Sequence, residues 1–332
     1  MFLILFGRQL AKSEVFLLWT FLYFFGITHL SHLVLSLLMA ALLPFVFLLG
    51  GVRGRPVRSV RFGLVGFFLA PLLGLAFLVG YNARHGHGSV ISPTSSLFLS
   101  GKLIESGAMR IYLDRTCAER PVFLCEHKDE LDRTGMHYVW DDDAPTRAGL
   151  GMVEASKRLD PIVHDLLTSP DMWPVLVWAG TLATIQQLLQ VDMGSGLCAY
   201  GKDTPPWWPI SRFWPHELPG YMMSAQQRGA LSFTLLNPLN AYVMILSGCV
   251  IMVCWPKKQR LRLWAFVFLA VAGAIANAAA TGGLANIYDR LQGRVTWLLL
   301  FAAILQLLSR SLRLRRIFQF PIASPRTTFK PF

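Results

Sequence analysis

Of the 19 acidic residues in this chain, 17 lie between positions 82 and 229; only Glu14 and Asp289 fall outside. On either side of that stretch the sequence is a succession of apolar runs, several near the roughly 20 residues an α-helix needs to cross a ~30 Å hydrocarbon layer. Charge is scarce overall, at 15% of residues, against about 25% in soluble globular proteins. The runs are continuous rather than alternating, which argues against a membrane β-barrel. The expected fold class is an all-α polytopic membrane protein carrying one large loop domain.

The net charge of +12 divides by position. Sixteen of the 31 Lys and Arg residues fall in residues 1–12, 53–61, 257–262 and the tail from Arg310. Short basic segments beside apolar spans mark the cytoplasmic side of a membrane. The stretch 82–229 itself holds 13 basic and 17 acidic residues, so it is mildly acidic and is assigned to the opposite face. The positive charge is therefore read as topology. Membrane lipid is the expected partner, and nucleic acid is not.

Taken in order, the chain predicts about six transmembrane helices, near 14–28, 33–50, 62–81, 230–255, 263–280 and 295–308. Pro238 is expected to kink the fourth near Asn237 and Asn240. The resulting organisation is an N-terminal membrane segment (1–81), an extracytoplasmic loop domain (82–229), a C-terminal membrane segment (230–309) and a basic cytoplasmic tail (310–332). Residues 172–191 carry no charge and would pass for a further span. A crossing there would place 257–262 and the tail outside, against their basic character. Pro174, Gly180, Gln186, Gln187 and Gln190 also suit an interfacial or re-entrant helix better.

The segment 204–222 combines five prolines with Trp207, Trp208, Phe213, Trp214 and Tyr221. It is expected to be irregular, and either an aromatic anchor at the headgroup level or a platform for a sugar or lipid headgroup. Cys117, Cys125 and Cys198 lie in the loop domain, in an oxidising compartment. Cys117–Cys125 is the expected disulfide, with Cys198 as a competing partner. No cysteine or histidine pattern has strong zinc-site spacing.

Several small constellations carry chemistry. Asp289, Arg290 and Arg294 lie between the last two spans, on the face of the loop domain. They either pair and cap helix ends, or Arg290 and Arg294 clamp a phosphate, to which the guanidinium fork is suited. Arg228 could join them. His29 and His32, in the break between the first two spans, are acid–base candidates or simply cap the hairpin. His85 and His87 read as a solvated turn or a ligand pair, and Asp141, Asp142 and Asp143 as a loop or a cation site.

Three segments resemble a group of proteobacterial inner-membrane proteins: His29-Leu30-Ser31-His32; Leu113-Asp114-Arg115-Thr116-Cys117 with Phe123-Leu124-Cys125; and Tyr288-Asp289-Arg290-Leu291-Gln292-Gly293-Arg294. Those proteins look, in layout, like GT-C-type glycosyltransferases. The resemblance implies sugar transfer from a polyprenyl-phosphate-linked donor at the extracytoplasmic face of a bacterial inner membrane, with both termini cytoplasmic. It also implies a catalytic carboxylate in an early outer loop. Here that loop, 26–32, has none, so the chain is expected to correspond to the later part of such a protein.

The functional expectation is a multi-pass envelope protein acting on a lipid-linked or glycan substrate. Asp289, His29 and His32 are the catalytic candidates. Arg228, Arg290 and Arg294 would hold phosphate, and Trp207, Trp208 and Trp214 would line the substrate. No cofactor is certain. The alternative is a non-enzymatic scaffold, assembly subunit or transporter component. A transporter would line a path with polar residues, and the spans offer chiefly Asn237, Asn240 and Asn277.

Overall fold

A computed structural model describes residues 11–28, 30–49, 57–131, 135–202, 204, 206–256 and 261–310. Among these the chain is all-helical, with no strand. The basic segments 53–56 and 257–260, residues 1–10, His29 and the tail from 311 lie outside the described residues.

Three helices have the length and apolar composition to cross a membrane. They are α11 (Leu236–Val253), the greater part of α12 (Leu261–Leu284) and α13 (Asp289–Arg310). In the N-terminal part, α1 (Lys12–Thr28), α2 (Leu30–Leu49) and α3 (Val57–Arg84) form a second helical group. There the apolar stretches Leu30–Leu42 and Phe68–Arg84 are shorter. Helix α12 is the hub: α2 packs on it, with Met39 against Gly273, and α13 runs along it. Val267 and Ala270 of α12 meet Ile251 of α11 and Ala302 and Ala303 of α13 in one buried cluster. Small side chains let these backbones approach closely.

Between the two groups lies a helical subdomain of α4 (Ser95–Glu105), α5 (Ala108–Thr116), a 3-10 helix (Phe123–Glu130), α6 (Gly135–Trp140) and α7 (Met152–Thr168). Its core contains Leu97, Met109, Leu113, Leu124, Leu159 and Leu166, all fully buried. Cys117 and Cys125 are joined by a disulfide that ties the end of α5 to the 3-10 helix, with their Cα atoms 5.8 Å apart. Cys198, the competing partner, is a free thiol. The acidic run is absorbed locally: Asp141 pairs with His137, and Asp142 with the nearly buried guanidinium of Arg147.

After the subdomain, α8 (Trp173–Leu188) packs on α12 in the most extensive helix–helix contact of the described residues. At Gly282 a Cβ atom would come within 2.6 Å of the Ala183 carbonyl oxygen, so only glycine admits this approach. The chain then continues through α9 (Trp207–Phe213) and α10 (Leu218–Met222) to α11.

Three local expectations are corrected. The segment 204–222 is not irregular: it forms α9, α10 and the 3-10 turn Pro215–Glu217 between them. Pro206, Pro209, Pro215 and Pro219 sit at or near helix starts, where a missing N–H costs nothing because it would have no intrahelical partner. Pro238 does not kink a span. It is the third residue of α11, again in the first turn. Asp289, Arg290 and Arg294 are not in a turn between spans but in the first two turns of α13. There Asp289 complements the positive end of the helix dipole.

Candidate functional site

The residues singled out near the end of the chain sit where four elements converge: the C-terminal end of α8, the turn between α12 and α13, the start of α11 and the start of α2. Polar side chains in otherwise apolar helices make that convergence specific. Gln187 is fully buried. Its Nε2 donates to the Tyr288 carbonyl at 2.9 Å, and its Oε1 accepts from the Tyr288 N–H at 3.0 Å. One side chain thus satisfies both backbone groups of a residue about 100 positions away, a pairing worth about 1–3 kcal/mol because either group left bare would be costly.

The following segment is held in the same manner. Asn237 Oδ1 accepts from the Met193 N–H at 2.8 Å, and Asn240 Nδ2 donates to the Val191 carbonyl. Asp289 Oδ1 accepts from the Asp192 N–H at 3.3 Å. Asn277 Nδ2 donates to the Leu291 carbonyl at 3.0 Å and to Gln292 Oε1 at 2.9 Å, locking α12 to α13. Asn237, Asn240 and Asn277 thus each join one segment to another.

Arg290 is exposed. Its guanidinium carbon lies 5.2 Å from the centre of the Tyr288 ring, within reach of a cation–π contact. It also runs close under Gly196, where a Cβ would come within 2.7 Å of its Nη1. The backbone there, at φ +81°, is itself a glycine conformation. Tyr200 next to it donates its hydroxyl to the Gly196 carbonyl at 3.0 Å. Its hydroxyl pKa is pushed up, first by a hydrogen bond with Cys198 and then by burial, while the charge of Arg290 opposes the rise.

Arg294, one helical turn further along α13, meets His32 at the start of α2: Nη1 lies 3.4 Å from Nε2. The imidazole is stacked on Phe25 with ring centres 3.8 Å apart, and its Nδ1 lies 3.2 Å from the Phe25 carbonyl. Both contacts fit a neutral ring with its proton on Nδ1, leaving Nε2 to accept from the guanidinium. His29, the companion candidate, lies outside the described residues.

The remaining expected residues engage other partners. Arg228 is exposed, and its N–H bonds to the Ser224 carbonyl. Trp207 and Trp208 meet edge to face at 5.3 Å, and Trp208 and Trp214 are more than half exposed. The 196–227 stretch is braced internally: Tyr200 N–H donates to Gln227 Oε1, Gln226 Nε2 to the Cys198 carbonyl, and the Tyr221 hydroxyl to the Tyr200 carbonyl. His85 and His87 close a turn at the end of α3, with His85 Nδ1 2.8 Å from the Tyr81 carbonyl and the His87 N–H on the Asn82 carbonyl. Among the described residues no cluster of three metal-ligating side chains occurs.

Sequence reasoning picked out Arg290, Arg294, Asp289 and His32 but gave Gln187 and the asparagines no role in building the site. Their signal was present: amides inside apolar helices need partners. Comparison with protein-family models, with curated proteins and with solved structures finds no match to this chain.

Proposed function

We propose that this integral membrane protein belongs to a bacterial inner membrane and handles a lipid-linked or glycan substrate at the extracytoplasmic face, as a GT-C-like glycosyltransferase. The observation that supports this most is the meeting of Arg294 with His32, 262 positions apart in sequence, beside Arg290 at the start of α13. Arg290 and Arg294 are spaced one turn apart on one side of the helix. The N-terminus of a helix favours an anion, and two guanidiniums supply strong charge-assisted donors. In this reading Arg290 and Arg294, joined by Arg228, hold the phosphate of a polyprenyl-phosphate-linked sugar. Trp207, Trp208 and Trp214 line the sugar or lipid. Asp289 takes the acceptor's proton as the sugar passes from the phosphate to the acceptor oxygen, and His32 holds Arg294 in place.

The test compares retention of a polyprenyl monophosphate with that of the uncharged polyprenol by the purified chain, using native mass spectrometry. The phosphate form should be retained preferentially, and Arg290→Gln and Arg294→Gln should each weaken it by about tenfold. Equal retention of the two lipids sinks the phosphate role. Unchanged envelope glycan in a strain carrying Asp289→Ala and His32→Ala would remove the catalytic part.

A non-enzymatic assembly subunit is the second reading, supported by α11. That helix packs chiefly on α13 and leaves Tyr242, Ile245, Leu246, Met252 and Val253 at least 65% exposed. Purification with a stoichiometric membrane partner docked there would favour it.

A further inference from the structure

At the other end of α8 the structure builds a second site. The end of α5, the end of α7 and the turn Pro170–Met172 enclose a cleft of about 360 Å³. Two guanidiniums and two acidic residues meet there. Arg120 Nη2 lies 3.2 Å from Asp165 Oδ2, and the Tyr112 hydroxyl donates to that same oxygen at 2.5 Å. Arg115 Nη1 donates to the backbone carbonyl of Asp171 at 3.3 Å, leaving the carboxylate of Asp171 out of that bond. The disulfide from Cys117 holds the chain between the two arginines. Burial, and then Asp165, raises the Tyr112 pKa, which keeps its hydroxyl a donor.

The cleft opens at Pro170 into an apolar groove along α8, walled by Trp173, Val177 and Trp178. These side chains are 56%, 68% and 70% exposed. The Trp173 indole is anchored by Nε1 donating to the Leu167 carbonyl at 3.2 Å. Helix α8 carries no charge, and its opposite side lies against α12, a helix long and apolar enough to span. The exposed stripe therefore suits hydrocarbon, while the cleft at its head suits a polar group.

We propose that cleft and groove together bind one phospholipid with a zwitterionic, amine-bearing headgroup. Its phosphate would sit between Arg115 and Arg120, its ammonium against Asp165 and Asp171, and an acyl chain along Trp173 and Trp178. The charge balance of the cleft selects this occupant. An anionic headgroup would leave both carboxylates facing like charge, and a quaternary amine has no N–H to give them. The assignment does not depend on the phosphate role given to Arg290 and Arg294.

The test uses the full chain in detergent, offered phosphatidylethanolamine, phosphatidylglycerol and phosphatidylcholine of one acyl composition in equal amounts, with retention read by native mass spectrometry. Phosphatidylethanolamine should be retained about tenfold over the other two. The double substitution Arg115→Gln with Asp171→Asn, both at exposed positions, should erase that preference while helicity and the Cys117–Cys125 bond persist. Trp178→Ser should lower retention of all three lipids alike. Equal retention by the unaltered chain, or preference for phosphatidylglycerol or phosphatidylcholine, overturns the proposal without reference to any variant. A preference that survives the double substitution overturns the cleft assignment, and unchanged retention with Trp178→Ser overturns the groove.

Discussion

The subdomain of α4 to α7 buries Leu97, Met109, Leu113, Leu124, Leu159 and Leu166 completely, whereas none of the described residues from 190 to 235 is buried. The first region is held by apolar packing around a covalent tie. The second is laid over the helix ends and fastened by single amide and carboxylate side chains on backbone groups. Packing is cooperative, so losing one contact loosens its neighbours. Isolated hydrogen bonds can be removed one at a time, each for about 1 kcal/mol. A region held in the second manner opens locally without the protein unfolding, as substrate-contacting segments do.

The contrast can be broken most severely at Leu113. Leu113→Ala should destabilise the subdomain by about 2–5 kcal/mol through the cavity it leaves, read as a fall in the thermal midpoint in detergent. Next in size, Cys117→Ser should cost about 2–3 kcal/mol, as expected for a disulfide closing a short loop. Protease sensitivity should then rise around 117–130 and stay unchanged around 190–235. Third, Gln187→Leu should cost about 1–2 kcal/mol overall. It should also speed amide exchange at Tyr288 and Asp192 well before the subdomain responds. Simultaneous exchange of both regions would mean that they are one cooperative unit.

The smallest effect is on pH dependence. The folded state raises the Tyr112 pKa above the ordinary tyrosine value of 10.0, through burial and the bond to Asp165. A raised value favours the protonated form in the folded state. The stabilisation is thus fully present below the unfolded value and is lost as pH rises through the folded one. Tyr112→Phe should remove that alkaline loss, seen as a flatter stability profile above about pH 10.

Composition and charge placement were enough to read the helical membrane class, and the three apolar helices agree with it. The Cys117–Cys125 pair was legible because both cysteines are close in sequence and share one compartment. Element boundaries were less so. Apolar runs were read as starting where charge stopped, which cut Asp289 to Arg294 away from the helix they begin. Prolines were read as breakers at 204–222 and at Pro238, although a helix start tolerates them. The fastening by Gln187, Asn237 and Asn240 had no periodic signature, because it joins segments about 45 to 100 residues apart and depends on tertiary geometry.

Helix α8 also has a mechanical role. Gly282 leaves no slack over Ala183, and the Gln187 amide grips Tyr288 by both its N–H and its carbonyl. The rod can neither roll nor slide at that end without breaking this grip. Sixteen residues of α-helix are about 24 Å long and stiff along their axis. A force along that axis applied at Trp173 therefore reaches the turn that holds Tyr288, next to the start of the helix that carries Arg290 and Arg294.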